Sequence, residues 1–127
     1  MDELLEADVT IITETWLQDD HRINKFLDDF QDNTMYSLIR KDRGGGKRGG
    51  GLCIAFNREK IHFEKAKLPY SKHELLAAVG RRTGQRRKIV VLAIYVPPWY
   101  NAAANRSLCK VVDKALTLLR SRYVDLL

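Results

Sequence analysis

The pattern of hydrophobic and polar positions predicts a chain in which strands outnumber helices. Short β-branched or alternating segments, each bounded by polar or glycine-rich residues, indicate strands. The predicted strands cover residues 9–13, 36–40, 52–56, 61–66, 74–79 and 89–96. The last of these is apolar on both faces, which is typical of a strand at the centre of a covered sheet.

One long helix accompanies the predicted strands. Apolar residues recur at helical spacing between residues 108 and 119, and Asn101 stands where a helix N-cap is preferred. Residues 2–7 have the composition of a helix end, and a single helical turn is predicted around residues 26–30. The order of elements predicts an α/β fold in one domain that covers residues 1–127.

Charge is divided unevenly along the chain. Residues 1–32 contain ten acidic and two basic side chains, a net charge of −8, and residues 33–127 carry a net charge of +14. The basic part includes a glycine-rich hairpin tip at residues 40–51 and a turn at residues 81–88 with five cations. Such segments attract polyanions, nucleic acid among them. Ordinary solvated loop charges are the alternative interpretation.

Composition excludes several classes of protein. The 127 residues are 45% hydrophobic and 30% charged, which does not fit a disordered or collagen-like chain. No apolar run approaches the roughly 18 residues that span a bilayer. The acidic N-terminal residues do not have the pattern of a secretory signal. We therefore expect an intracellular protein that does not cross a membrane.

The cysteines and histidines do not predict a metal site. Cys53 and Cys109 have apolar neighbours in the sequence, which indicates reduced, packed thiols. His21, His62 and His73 show no spacing typical of metal ligands, and we expect them at the surface. The glycines at residues 44–49 match G-x-G-x-x-G, but a strand follows them where a dinucleotide fingerprint requires a helix.

Two residues at predicted strand ends are candidates for chemistry. Glu14 follows the strand at residues 9–13, and Tyr95 lies near the end of the strand at residues 89–96. In open α/β layers, sites assemble at the carboxyl ends of strands. A carboxylate there suits a hard cation such as Mg²⁺, and a phenol can donate a hydrogen bond to a phosphate oxygen. A turn carboxylate and a core tyrosine are the alternative interpretations.

The segments around these two residues resemble the endonuclease/exonuclease/phosphatase superfamily, in the form found in endonuclease domains of non-LTR (LINE-type) retrotransposons. The family's D-i-i-x-x-x-E-T-W-L segment is similar to residues 8–17, DVTIITETWL. Its R-G-G-G-v-x-i hairpin is similar to residues 48–54, RGGGLCI. Its x-E-x-l-x-v and Y-R-P-P strands look like residues 73–79 and 91–98, with Val96 in place of the usual arginine. The four segments occur in the family's order.

The resemblance implies a two-sheet, DNase I-like α/β sandwich that hydrolyses phosphodiester bonds in DNA with Mg²⁺. Glu14 matches the family's metal-binding glutamate, and Tyr95 matches the tyrosine that contacts the scissile phosphate. Tyr95 is therefore the candidate catalytic residue and Glu14 the candidate metal ligand. A nuclear location and the absence of a small-molecule cofactor also follow from the resemblance.

The resemblance also gives the basic segments a role on the DNA backbone. The side chains expected to contact it are Lys47, Arg48, Arg86 and Arg87. The turn at residues 81–88 would contribute only if it lies on the same side of the sheets as the catalytic residues. Contacts of this kind give salt-dependent affinity without reading bases.

Several segments of the family are not found in this sequence. They are the first strand with its asparagine, the G-D-F-N segment and the closing S-D-H. We therefore expect a partial sandwich without its first strand and C-terminal portion. Loss of one stabilising group typically costs ~10²–10³ in rate, so we expect little cleavage by the isolated chain.

Two further functions stay open from the sequence. One is a non-catalytic nucleic-acid-binding module that uses the hairpin at residues 40–51 and the turn at residues 81–88. The other is a phosphatase of the same superfamily, which the E-T-W-L and triple-glycine segments favour less than a nuclease. The sequence predicts no oligomeric state.

Overall fold

The computed structural model describes residues 7–17, 21–42 and 50–123. Within these ranges the elements follow one another as β1 (Val9–Thr13), α1 (His21–Asn33), β2 (Tyr36–Lys41), β3 (Leu52–Asn57), β4 (Ile61–Ala66), β5 (Glu74–Arg82), β6 (Lys88–Tyr95) and α2 (Ala102–Tyr123). The predicted tip residues Lys47 and Arg48 lie outside the described residues, as does nearly all of the helix end expected at residues 2–7.

The strands form two antiparallel sheets of three strands each. In the first sheet β3 lies between β1 and β2, and in the second β5 lies between β4 and β6. The predicted hairpin is confirmed, because Tyr36 pairs with Asn57 and Lys41 pairs with Leu52 across β2 and β3. The α/β class predicted from the sequence is therefore confirmed.

The two sheets pack face to face through alternate residues of their strands. Phe56 of β3 meets Phe63 of β4 edge to face, with ring centroids 5.5 Å apart. The buried side chains between the sheets are Leu52, Ile54, Phe56, Ile61, Phe63, Leu76, Ala78, Ala93 and Tyr95. Because side chains alternate along a strand, Cys53 and Ala55 point to the other face of β3, and they are also buried.

The two helices cover the outer faces of the sheets. On the first sheet, Arg40 of β2 donates a side-chain hydrogen bond to Asn24 of α1 over 2.5 Å. On the second sheet, Leu119 of α2 packs with Ala66 and Ala77. The layers therefore follow the order helix, sheet, sheet, helix. Neither helix of the described ranges has the length and apolar character needed to cross a membrane.

Strand β6 lies at an edge of the second sheet and not at its centre. Among the described residues it pairs with β5 alone. Its two apolar faces have another cause: Ala93 faces the first sheet, whereas Val90 and Leu92 pack under α2. A strand is buried on two faces when layers pack above and below it. Such burial does not require hydrogen-bonded strands on both sides.

Helix α1 is much longer than the single turn predicted around residues 26–30. Its 13 residues present Ile23, Leu27 and Phe30 at helical spacing on one half-buried face, and the acidic residues lie on the exposed face. The guanidinium of Arg58 donates to the carbonyl of Gln31 over 2.7 Å and also to that of Thr34. This cation at the helix C-terminus comes from a distant strand end, so local sequence does not predict it.

The two cysteines have different environments. Cys53 is buried in β3, as predicted, and Cys109 is exposed on α2, so the expectation of a packed thiol is wrong there. Leu108, Ala115 and Leu119 form the buried stripe of α2, and Cys109 lies one position beyond it. Burial raises the pKa of the Cys53 thiol to about 11.

Candidate functional site

Glu14 and Tyr95 meet where β1 and β6 end. The Tyr95 hydroxyl donates a hydrogen bond to Oε1 of Glu14. Tyr95 is only 8% exposed and its ring belongs to the core between the sheets, whereas Glu14 is exposed. The buried ring fixes the position of the phenol, and the hydroxyl reaches the molecular surface. The two interpretations of Tyr95, core residue and site residue, are therefore compatible.

A second contact joins the two sheets at the same end. Glu74, the first residue of β5, pairs with Tyr95 across the second sheet. The backbone N–H of Gly51, just before β3, donates to Oε1 of Glu74 over 3.4 Å. We call the group of Glu14, Glu74 and Tyr95 the strand-end site, and the end of the molecule that carries it the site end.

The backbone of the strand-end site is strained. Glu14 and Trp16 have φ angles of 51° and 57°, in the left-handed region that side chains other than glycine rarely adopt. Each such residue costs on the order of 1–3 kcal/mol and persists where its surroundings hold it. Here the N–H of Thr15 donates to Gly51 (3.4 Å) and that of Trp16 donates to Gly50 (3.0 Å). Strain of this kind is common at functional sites.

Gly51 must be a glycine because Thr15 lies directly against it. Its φ is +94°, and a Cβ added there would lie 2.4 Å from Oγ1 of Thr15. Residues 14–16 and the glycines at 50 and 51 therefore form one structural unit, which continues the β1–β3 pairing past Thr13 and Leu52. The contact between Thr15 and residue 51 thus gives a steric reason for a glycine at position 51.

A cleft lined by lysines opens at the site end, next to Glu74. Its volume is about 340 Å³, and its walls come from Lys41, Lys65, Ala66, Lys67, Leu68, Leu75 and Leu76. Burial, and then the charge of Lys65, lower the pKa of Lys41, while Glu74 acts in the opposite direction. We call this group the lysine cleft. It is a concentration of positive charge close to the strand-end site.

Sequence reasoning missed the lysine cleft. Lys65 lies in β4 and Lys67 follows its last residue, and both side chains line the cleft. Two lysines at this spacing could have indicated a basic surface from the sequence alone. Lys41 reaches the same cleft only through the packing of the two sheets, and no local pattern predicts this.

His73 is buried, and the expectation that it lies at the surface is wrong. It is 2% exposed, with Nδ1 2.7 Å from the Tyr100 hydroxyl and Nε2 3.0 Å from Oγ of Ser107. It therefore ties the start of β5 to the loop after β6 and to α2. Burial, and then the charge of Lys72, lower the pKa of His73. His21 and His62 are exposed, as predicted.

The structure does not bring Arg86 and Arg87 to the strand-end site. Both are exposed in the turn between β5 and β6, where Arg81 pairs with Lys88. Seven strand positions separate Lys88 from Tyr95, which is roughly 20 Å at the usual rise of a strand. The turn at residues 81–88 therefore lies at the opposite end of the second sheet from Tyr95.

The far end of the molecule has its own ion pairs. Arg82 lies 2.6 Å from Oδ2 of Asp8, and Lys60 lies 3.3 Å from Oδ1. The Arg82 hydrogen bond, followed by that of Lys60, lowers the pKa of Asp8. Arg82 and Lys60 thus connect the second sheet to the residue before β1 at this end of the molecule.

Glu14 is the residue of the strand-end site whose donor chemistry suits a magnesium ion. Among the described residues there is no group of three or more histidine, cysteine, aspartate or glutamate side chains that could hold a metal. Glu14 is an exposed carboxylate, and oxygen donors of this type are the ones that Mg²⁺ prefers. Magnesium usually binds through one or two carboxylates, with water and substrate phosphate completing its shell. The residue present fits that mode.

Comparison with known proteins gives no assignment. The chain matches no family model, no curated protein and no solved structure at a significant level. These comparisons therefore neither support nor contradict the resemblance of the four sequence segments.

Proposed function

We propose that this chain carries part of the active site of a magnesium-dependent DNA endonuclease of the endonuclease/exonuclease/phosphatase type. In this proposal Glu14 holds the metal ion, and Tyr95 contacts the phosphate that is cleaved. The two packed sheets correspond to part of a DNase I-like sandwich. The proposal rests first on the resemblance of four ordered segments to the LINE-type endonucleases.

The observation that carries the proposal is the hydrogen bond from Tyr95 to Glu14. The resemblance assigned these two residues separately, from segments 81 positions apart. A metal ligand and a phosphate contact can act together only if their side chains converge. The meeting of the phenol and the carboxylate at the site end supports a shared role, which a turn carboxylate and an unrelated core tyrosine would not need.

In this proposal the residues of the chain position the phosphate and neutralise its negative charge. A magnesium ion at Glu14 would neutralise the phosphate and stabilise the oxyanion that develops during hydrolysis. The Tyr95 hydroxyl has one proton, which it donates to Glu14 in this structure. In the proposal a metal ion on Glu14 takes over that carboxylate, and the same proton then points to a non-bridging phosphate oxygen while the ring stays fixed in the core. The lysine cleft supplies positive charge for the neighbouring backbone phosphates.

A non-catalytic DNA-binding module is the second candidate. The absence of a three-residue ligand group among the described residues favours it, as does the basic lysine cleft. In such a module Glu14 would be a turn carboxylate, and magnesium would not strengthen DNA binding through it. The two candidates therefore differ in a measurable way.

Magnesium-dependent DNA binding distinguishes the two candidates. Fluorescence anisotropy with a labelled DNA oligonucleotide would be measured in Mg²⁺ and in EDTA at matched ionic strength. We expect tighter binding in Mg²⁺, because Glu14 and a phosphate oxygen hold the ion together. Glu14→Gln should remove this gain without weakening binding in EDTA. Glu59→Gln, an exposed glutamate at the far end, is the matched control and should keep the gain.

An equal response of the wild-type chain and Glu14→Gln to magnesium would contradict the endonuclease proposal and favour the binding module. A nicking assay on supercoiled plasmid adds the catalytic readout. We expect little cleavage by the isolated chain, since one carboxylate and one phenol do not by themselves position water, metal and phosphate. Robust cleavage that Glu14→Gln abolishes would instead mean that the chain holds a working site.

A further inference from the structure

Three exposed aromatic side chains lie on loops at the site end. Among the described residues, four aromatic side chains are markedly exposed: Trp16, Phe26, Tyr70 and Trp99. Trp16 follows β1, Tyr70 lies between β4 and β5, and Trp99 follows β6, so three of the four are on loops at the site end. Only Phe26, on α1, lies elsewhere.

These three side chains are too exposed to serve the core. Trp16 is 58% exposed, Trp99 is 68% exposed and Tyr70 is 98% exposed. Isolated exposed apolar residues are common, but three aromatic rings on three loops at one end form a surface feature. Aromatic rings of this kind stack on flat partners, and nucleic-acid bases are the partners that occur beside phosphate.

The loops that carry the aromatic residues are anchored. The turn before α2 is closed by the Tyr100 N–H, which donates to the carbonyl of Pro97 over 3.1 Å, and Tyr100 is held by His73. The N–H of Trp16 donates to Gly50 over 3.0 Å. Trp16 and Trp99 are therefore presented on fixed backbone, which lowers the entropic cost of stacking.

The lysine cleft lies at the same end as these rings. Lys41 ends β2 in register with Leu52 and Thr13, so it lies two strands from the start of the Glu14 loop, roughly 10 Å at the usual strand spacing. The Tyr70 loop continues from the cleft wall at Leu68. The lysine cleft and the three aromatic residues therefore lie at the same end of the molecule as Glu14 and Tyr95.

We propose that the site end binds single-stranded DNA, with bases stacked on Trp16, Tyr70 and Trp99 and with backbone phosphates in the cleft formed by Lys41, Lys65 and Lys67. An unpaired strand is required because the base faces of a duplex are covered by their neighbours, whereas unstacked bases offer a free face to an aromatic side chain. The proposal rests on the proposed function in one respect, since the same strand would pass the candidate catalytic pair.

Intrinsic fluorescence tests the stacking directly, because the chain has two tryptophans and both lie at the site end. An oligothymidylate of about 12 nucleotides, within the range of known single-strand sites, would be titrated into the wild-type chain in EDTA. We expect quenching of the fluorescence and tighter binding than to a duplex of equal length. Trp99→Leu should weaken binding about tenfold, as expected for loss of one stacked base, while Phe26→Leu should not.

Salt dependence tests the phosphate contacts. Lys65→Gln/Lys67→Gln should reduce the slope of log K against log salt by about 0.7 for each lysine that contacts a phosphate of a single strand. Arg86→Gln/Arg87→Gln is the matched control, because it removes the same charge from the far end of the molecule and should leave the slope unchanged. These substitutions change exposed side chains, and far-ultraviolet circular dichroism would check that the fold is kept.

Three results would overturn the proposal: no quenching by the oligothymidylate, duplex binding at least as tight as single-strand binding, or an equal loss of slope in the two double variants. Because these measurements are made in EDTA, they are independent of the magnesium response of Glu14. Single-strand binding without a magnesium gain would retain this inference and reject the endonuclease proposal. Tighter binding in magnesium without a preference for single strands would retain the endonuclease proposal and reject this inference.

Discussion

Tyr95 and Glu14 are 81 positions apart, and the hydroxyl of one donates a hydrogen bond to the carboxylate of the other. The contact joins the end of β6 to the residue that follows β1, and so it links the two sheets. Because the Tyr95 ring is buried and Glu14 is exposed, the hydroxyl is the part of the tyrosine that the core does not need. Substitutions at Tyr95 can therefore separate the contribution of the ring to stability from the contribution of the hydroxyl to the candidate site.

Tyr95→Phe should lower the free energy of unfolding only slightly. The substitution keeps the buried ring and removes the hydrogen bond to the Glu14 carboxylate. Because that carboxylate is exposed, we expect a loss of about 1.5 kcal/mol, the lower end of the range for a charged acceptor. Tyr95→Ala should cost about 3–5 kcal/mol, because it also empties ring volume in the core. Urea denaturation measures both. A loss in Tyr95→Phe as large as in Tyr95→Ala would mean that the ring does not pack in the core.

Gly51→Ala should destabilise the chain more than Gly84→Ala. Both glycines have positive φ, which costs an alanine on the order of 1–2 kcal/mol. At Gly51 the new Cβ would also lie 2.4 Å from Oγ1 of Thr15, whereas at Gly84 nothing lies within 4 Å. Thermal or urea unfolding of the two variants measures the difference in their loss of stability. Because both positions have positive φ, this difference is the cost of the contact with Thr15.

The partner of Gly51 provides a control for the same prediction. Thr15→Ala removes the hydroxyl that the new Cβ would meet, so it should restore part of the stability lost in Gly51→Ala. The double variant should be more stable than the sum of the two single changes predicts. Strict additivity would show that the strain at residue 51 comes from φ and not from Thr15.

Much of the fold could be predicted from the sequence because its strands are short, apolar and well bounded. The strand at residues 61–66 has the predicted bounds in the structure, and the hairpin of β2 and β3 is also as predicted. The prediction failed where distant contacts decide. Arg58, from beyond β3, binds the C-terminal carbonyls of α1, and the two apolar faces of β6 pack against the layers on either side of it.

The candidate site was only partly predictable for a similar reason. Glu14 and Tyr95 could be selected because their segments resemble a known family. The rule that sites lie at the carboxyl ends of strands applies to parallel sheets, and both sheets here are antiparallel. The lysine cleft needs Lys41 and Lys65 to meet across two sheets, and the burial of His73 needs α2 to pack over it. Neither arrangement leaves a local pattern in the sequence.

The native chain should react with thiol reagents at one of its two cysteines. Cys109 is exposed on α2, whereas Cys53 is buried and burial raises its thiol pKa to about 11. At pH 8 a chromogenic disulfide reagent should therefore label one thiol quickly, because the thiolate is the reactive form. The second thiol should react only after unfolding. Cys109→Ser should abolish the fast phase, and a remaining fast phase would place Cys53 within reach of solvent.

Stability should fall as the pH decreases below about 6.5, because of His73. Burial lowers the pKa of His73 in the folded chain below its ordinary value of 6.5, so the unfolded chain takes up this proton first. Stability is therefore complete above pH 6.5 and is lost on acidification until the folded pKa is reached.

Thermal unfolding between pH 7.5 and pH 5 measures this loss. His73→Gln should flatten the pH dependence in that window, since glutamine does not titrate. The other histidines are exposed, and the lowered pKa of Asp8 acts below its ordinary value of 3.8, outside the window. His62→Gln is the matched control and should keep the wild-type slope. An unchanged slope in His73→Gln would show that His73 does not stay neutral in the folded chain.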